Sequence, residues 1–379
     1  MPCWRNWIRP ARRMTSPDDI ATAVGTVVDP ELRRPLAELG MVGAVSVDGA
    51  AATVEIRLTI AACPKQSQIE DSVRSAAQSA GVESVTVTFS VMGDEERKAL
   101  TDRLHGGRSP EDRFGPNSLT RVIAVTSGKG GVGKSTVAAN LAVALAKRGQ
   151  KVGLLDADVF GFSIPGLLGI EGEKPTKVGE MILPPVAHDV SVISIGMFVE
   201  PHTPVSWRGP MLHRTVRQFL ADVYYGDIDV LVCDLPPGTG DVAISLGQMV
   251  PHADVLVVTT PQSTASDVAE RSGLVARQLG QNVIGVVENM SDWTDADGTH
   301  HAMFGTGGGQ DVANRLGVPL LGTIPLTPAV IAAGNSGEPL AARESDDPAA
   351  RALNALADAV EASAQPIRKI PLRIERDMK

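Results

Sequence analysis

The sequence predicts a doubly wound α/β fold with a mostly parallel sheet, preceded by a small α+β domain. Three observations predict it. From Leu119 onward, short apolar runs alternate with stretches of helical spacing, the pattern of a parallel sheet covered on both faces. Residues 17–92 read instead as helix, strand, strand, helix, strand. Between the first apolar run of the larger part and its first helix lies Ser127-Gly-Lys-Gly-Gly-Val-Gly-Lys-Ser-Thr136, a glycine-rich loop of the form G-x-x-x-x-G-K-[ST].

The elements follow in chain order. The first residues, 1–16, carry four arginines and no acid, and lack both the apolar core and the small-residue cleavage site of a signal peptide. They read as a disordered basic arm, or as an extension ahead of a natural start at Met14. Asp18 to Val28 has helical spacing. Met41 to Val47 and Ala51 to Leu58 alternate like strands about a turn at Val47-Asp48-Gly49-Ala50. Pro64 to Ala80 reads as a second helix and Glu83 to Ser90 as a last strand. Residues 93–118, charged and then rich in Gly, Pro and Asn, read as a linker. In the larger domain, 119–363, strands are expected at 121–126, 151–155, 229–233, 253–259, 283–288 and 320–324. Helices are expected near 135–148, 210–223, 264–279 and 345–362. The tail, 364–379, is basic with isolated apolar residues, and Pro366 and Pro371 interrupt any helix, so it is expected to be flexible.

Composition narrows the function. A formal net charge of −9 argues against nucleic-acid or anionic-membrane partners. No apolar run reaches the roughly 20 residues needed to span a bilayer. Three scattered cysteines, Cys3, Cys63 and Cys233, make no disulfide framework and fit a reducing cytoplasm.

The glycine loop carries the chemistry. In such a loop, Gly128, Gly130, Gly131, Val132 and Gly133 turn backbone N–H groups toward one anion, at the positive end of the helix that follows. Lys134 would reach the β- and γ-phosphates of a nucleotide, and the Ser135 hydroxyl would ligate Mg²⁺, with Thr136 closing the motif. Two carboxylates, Asp156 and Asp158, end the next strand at the same edge. Both point at the nucleotide crevice, and Asp158 in particular can orient an attacking water and accept its proton; the alternative for either, and more so for Asp156, is a helix-capping or loop carboxylate. Asp234 ends the apolar run Asp229-Val-Leu-Val-Cys-Asp234 and fits a Mg²⁺-holding role. Gly238 can offer its N–H to a γ-phosphate. Cys233, inside the strand, reads as a small buried hydrophobe.

Lys129, directly after the first glycine, gives the form KGGxGK[ST]. This resembles the deviant phosphate-loop ATPases. The resemblance implies a homodimer with ATP near its interface and Lys129 reaching the partner's nucleotide. It also implies Asp158 as the switch aspartate and Asn289 as the reader of adenine, whose edge an amide matches with donor and acceptor. SGKGGVGKST, LLDADVFGFSIPGLLG, WRGPM, DLPPGTGD, VVENMS and FGTGGG together resemble the Mrp/ApbC family over residues 119–340. These are iron–sulfur cluster carrier ATPases of the cytoplasm. Asp29-Pro-Glu-Leu32 and Thr59-Ile-Ala-Ala-Cys63-Pro64 resemble the two signatures of the small iron–sulfur assembly domain that often precedes them. The resemblance implies slow hydrolysis of ATP with Mg²⁺, an iron–sulfur cluster as cargo, and apoprotein recipients and assembly proteins as partners.

One departure stands out. The family's C-x-x-C is absent from residues 291–303, so no thiolate can ligate a cluster there. Asp295, Asp297, His300 and His301 offer oxygen and nitrogen donors instead, or form a solvated turn. Cys63 is the remaining candidate cluster ligand, ahead of a helix start where a thiolate is favoured, or else a structural half-buried cysteine. Two rival functions follow: a positioning ATPase like MinD or ParA, and an ATP-dependent scaffold with no cluster of its own.

Overall fold

The computed structural model describes residues 15–61, 63–105, 113–115, 118–159, 161–199, 209–295 and 297–364. The basic arm up to residue 14, the tail from 365, and Trp207 and Arg208 of the WRGPM motif lie outside the described residues. Two compact units result. The first comprises Met1–Gly107 and Lys177–Leu183, the second Arg108–Thr176 and Pro184–Lys379.

The first unit is the expected α+β domain. Ser16 caps α1 (Pro17–Gly25) in a reciprocal box with Asp19, and Pro17 supplies the preset first turn. A short α2 (Leu36–Leu39) follows. Strands β1 (Val42–Asp48) and β2 (Ala51–Leu58) pair antiparallel, and β2 pairs parallel with β3 (Ser84–Val91). In β2 every second residue is buried, the period of a sheet with one face on a core. Against it packs α3 (Gln66–Ser79), which buries Ile69, Val73 and Ala77 at four-residue spacing. Part of the expected linker is helical: α4 spans Asp94–His105. Three acids in its first turn favour the helix N-terminus, and Leu100 is buried.

The second unit is built on eight strands: β4 (Arg121–Ser127), β5 (Val152–Asp156), β8 (Val186–Ala187), β9 (Val190–Ser194), β10 (Val230–Asp234), β11 (Asp254–Thr259), β12 (Asn282–Asn289) and β15 (Leu320–Ile324). Their order is β15-β12-β11-β4-β10-β5-β9-β8, and every pairing is parallel except that of β8 with β9. Strands β4, β5, β10 and β11 are buried along almost their whole length, as both faces of a covered parallel sheet require. Two further two-stranded sheets are separate from it: β6 (Thr176–Val178) with β7 (Met181–Leu183), which but for Thr176 belong to the first unit, and β13 (Trp293–Thr294) with β14 (His300–His301).

The helices are α5 (Lys134–Lys147), α6 (Ile164–Leu167), α7 (Gly209–Ala221), α8 (Asp241–Met249), α9 (Ser263–Gln278), α10 (Gly308–Leu316), α11 (Pro328–Ser336) and α12 (Pro348–Ala362). From Val137 to Leu145, α5 is buried all round, which explains its run of Ala, Val and Leu. Its Asn140 is satisfied by Thr136 O and by the N–H of Ala341. Among the described residues no helix is long and apolar enough to cross a membrane.

The strand order reverses around β4 and β10. The chain leaves β4, passes through α5 to β5, and only later inserts β10 between the two. In open α/β sheets the crevice at such a reversal, beyond the carboxyl ends of the strands, is where ligands bind. The glycine loop lies there, between β4 and α5.

Candidate functional site

The loop geometry depends on glycine. Gly133 caps α5 with φ of 75°, and a Cβ there would come within 2.2 Å of Asn289 Nδ2. Only glycine meets both the left-handed backbone and that approach. The loop N–H groups thus sit at the positive end of a helix of 14 residues.

Sheet register assembles the acids. Asp234 lies opposite Asp156, and Asp156 opposite Ser194, so three neighbouring strands end in polar groups at one level. Lys134 Nζ lies 2.5 Å from Asp234 Oδ1, and Ser135 Oγ donates to Asp234 Oδ2 at 2.6 Å. The pair is deeply enclosed, with Lys134 5% and Asp234 0% exposed. Burial pushes the Asp234 carboxyl up, opposed by Lys134 and by the Ser135 hydroxyl. Asp156 is also wholly buried. Burial, and then the charge of Asp234, push its carboxyl up to about 8. Its oxygens accept from Ser194 Oγ at 2.9 Å and from the N–H of Asp158 at 3.2 Å. Asp156, for which the sequence leaves a capping or loop role open, is a buried member of the acid cluster.

Beside this cluster opens a cavity of about 710 Å³, a size that suits a nucleotide. Residues 129–136 form one wall. Asp158, Gly161, Leu212, Pro237 and Asp241 complete it. Asp158 Oδ1 accepts from the N–H of Gly161 at 3.0 Å. A Mg²⁺ ion fits the donor set: a hydroxyl and a carboxylate, both hard oxygen ligands, sit 2.6 Å apart at the loop.

Several expected residues stand elsewhere. Gly238 was expected to offer its N–H to a γ-phosphate. That N–H donates to Ser127 O at 2.7 Å, which ties the loop after β10 to the end of β4. Asn289 Nδ2 donates to Val132 O at 2.9 Å, so the amide holds the loop backbone from behind. Lys129 Nζ donates to Gln262 Oε1 of the same chain at 2.9 Å. Gln262, at the N-cap of α9, had no signal in the sequence, because only the fold brings it to the loop. Ser194 was missed for the same reason.

The expected thiolate at Cys63 is not favoured. Cys63 precedes α3 and is half-buried, with Sγ 3.7 Å from Glu31 Oε2. Burial pushes its thiol up to about 11, and the charges of Glu31 and Asp29 add to this. The helix start is outweighed by desolvation and two nearby carboxylates. Asp29 is itself buried, and accepts from the N–H groups of Glu31 and Leu32. Cys233 is fully buried, as expected, and burial raises its thiol too.

Residues 291–303 form a small closed hairpin rather than a ligand cage. Trp293 pairs with His301 across β13 and β14 and stacks on its ring at 5.2 Å. His301 Nε2 lies 2.8 Å from Asp295 Oδ2, and His300 Nδ1 lies 2.9 Å from Asp292 Oδ2. Asp295 Oδ1 accepts from the N–H groups of Asp297 and Thr299, closing the turn. Among the described residues, no group of three or more His, Cys, Asp or Glu side chains is placed to hold a metal ion.

Comparison with known proteins agrees with this architecture. Residues 118–361 match the family described as NUBPL iron-transfer P-loop NTPase, and residues 17–89 match the family described as iron–sulfur cluster assembly protein. The iron–sulfur cluster carrier protein of Mycobacterium tuberculosis is 56% identical over 350 residues, covering 89% of this chain and 91% of that one. The protein of the same name from Bacillus subtilis is 40% identical over 318 residues, covering 83% and 89%. Among solved structures, a nucleotide-binding protein from Archaeoglobus fulgidus in complex with ADP is 34% identical. It superimposes with a TM-score of 0.52 over 65% of this chain and 91% of that one. With its loop, acid cluster and sheet order, this chain belongs to the iron-transfer P-loop NTPases related to the iron–sulfur cluster carrier proteins, with an iron–sulfur assembly-type domain at its N-terminal side.

Proposed function

We propose that this chain binds MgATP in the cavity beside residues 129–136, hydrolyses it slowly as a cytoplasmic homodimer, and uses that cycle to pass iron–sulfur clusters to apoproteins. The observation that carries the nucleotide part is the buried meeting of Asp234 with Lys134 and Ser135, the latter two of which line the cavity. Loop N–H groups and Lys134 would hold the phosphates. Ser135 and Asp234 would hold Mg²⁺, which supplies charge neutralisation at the phosphate oxygens. Asp158, at the cavity wall, would orient the attacking water and take its proton. Lys129 would leave Gln262 and reach the partner's nucleotide when the dimer closes.

The cluster is cargo in this reading. The names of the relatives support it, and so does the assembly-type domain. The described residues of one chain supply only two thiols, both raised in pKa. Those raised thiols and the closed hairpin favour a second reading, a nucleotide-driven scaffold on which another protein supplies the cluster ligands. Anaerobic reconstitution with iron and sulfide separates the two, with wild type, Cys63→Ser and the His300→Ala/His301→Ala double variant compared by visible absorption and iron content. A cluster lost in Cys63→Ser supports the carrier reading through the first domain. Loss only in the histidine variant moves the site to the hairpin. No cluster in the wild type, with ATP hydrolysis intact, supports the scaffold.

A further inference from the structure

Ser194 is the last residue of β9 and is wholly buried. Its hydroxyl donates to Asp156 Oδ2 at 2.9 Å and accepts from the N–H of Gly196 at 3.1 Å. The other Asp156 oxygen receives the Asp158 N–H at 3.2 Å, and Asp158 Oδ1 receives the Gly161 N–H at 3.0 Å. The next residue, Phe162, closes the path. Its ring lies against Gly196, where a Cβ would come 2.3 Å from Phe162 Cδ2. The turn from Ser194 to Gly196 therefore meets the chain near the cavity twice: by the hydrogen bond of Ser194 to Asp156, whose other oxygen holds the Asp158 N–H, and by packing of Gly196 on Phe162. Asp158 and Gly161 line the nucleotide cavity, whereas Ser194 and Asp156 do not.

We propose that Ser194 is a positioning residue for hydrolysis, fixing through Asp156 the backbone of Asp158 and so the placement of its carboxylate at the cavity wall. This rests on the reading that Asp158 orients the attacking water. The argument is geometric. A catalytic carboxylate must be held within a few tenths of an ångström, and partners behind it supply that precision. Among the described residues, Ser194 is the side chain that donates to Asp156. Among the described residues the Ser194 hydroxyl bonds Asp156 and Gly196 and not the loop at 128–136, so its loss leaves the groups that hold the nucleotide in place.

The test measures ATP affinity and single-turnover hydrolysis for the wild type, Ser194→Ala, Asp158→Ala and the double variant. Ser194→Ala is expected to slow hydrolysis on the order of tenfold, as loss of an outer partner does, with ATP affinity within about twofold of wild type. In the Asp158→Ala background the serine change is expected to have no further effect, because its route to the reaction is gone. Ser194→Cys keeps the volume with a weak donor and falls between wild type and alanine; it carries the test if alanine fails to fold. Unchanged hydrolysis in both Ser194 variants overturns the proposal. An equal fractional loss in both backgrounds, or a loss of affinity matching the loss of rate, assigns Ser194 to general stability and overturns it equally. Wild-type hydrolysis in Asp158→Ala sinks the underlying reading of Asp158 instead.

Discussion

Lys134→Met tests whether the floor of the site is an obligatory ion pair. Lys134 and Asp234 meet at 2.5 Å with exposures of 5% and 0%. Deleting the ammonium leaves a buried carboxylate with the Ser135 hydroxyl as its remaining hydrogen-bond donor among those described. Breaking one side of a buried pair typically costs about 3–5 kcal/mol, since the other charge stays uncompensated. For a unit of this size, about 2–4 °C of melting temperature accompanies each kcal/mol, so the variant should melt roughly 6–20 °C below wild type. The assay is calorimetric unfolding without nucleotide, in the presence of a chelator. Adding Asp234→Asn should restore most of the loss, because the neutral amide still accepts from Ser135 and leaves no unpaired charge. The single variant should also show no measurable ATP hydrolysis. A Lys134→Met protein that melts within about 1 °C of wild type, or a double variant that melts lower than the single one, would refute the reasoning.

Other outcomes follow from the same geometry. Lys129→Ala should keep ATP affinity within a few-fold, since Lys129 bonds Gln262 rather than the loop, but lose ATP-dependent dimerisation; sedimentation with a non-hydrolysable analogue checks this, and normal dimerisation would make Lys129 an ordinary loop residue. Asn289→Ala should weaken ATP and GTP by the same factor, because the amide braces Val132 O; a loss confined to ATP by calorimetry would return Asn289 to base recognition. Cys63 should resist alkylation at neutral pH. A rise from 9.0 to about 11 leaves roughly a hundredfold fewer thiolates at a given pH below both values. The rate should keep climbing past about pH 10, where an ordinary thiol has levelled off, and Glu31→Gln should accelerate it. A plateau near pH 9 would show that neither burial nor the carboxylates raise the thiol, and an unchanged rate in Glu31→Gln would remove the carboxylate's part.

Legibility in the sequence followed locality. The phosphate-loop residues were readable because their spacing is contiguous, Asp156 and Asp234 because each ends an apolar strand, and Asp158 because it lies two residues beyond one. Ser194, Gln262, the burial of Asp156 beside Asp234 and the bracing role of Asn289 depend on which strands become neighbours and in what register, information that no short window holds. Cys63 shows the same limit from the other side. Its helix-start position is local, but the carboxylates of Asp29 and Glu31 come from some thirty positions upstream. The helix at Asp94–His105 was hidden by its charge, although its acidic first turn was a usable signal. Short strands such as β8, and the hairpin of β13 and β14, have too few residues to show a period.

The order of the central strands has a consequence for how the protein is made. Lys134 and Asp234 stand 100 positions apart, and β10 inserts between two strands that precede it in the chain. At a synthesis rate of about 5–20 residues per second, roughly 5–20 seconds separate the emergence of the lysine from that of its carboxylate. During that interval β4 and β5 lack the neighbour that joins them, and long-range parallel pairing is intrinsically slow. The nascent chain therefore exposes two apolar strand edges before it can recognise a nucleotide. Ligand binding can stabilise the protein only after β10 has brought Asp234 to Lys134, which makes the inserted strand a step that a growing chain must pass before it can work.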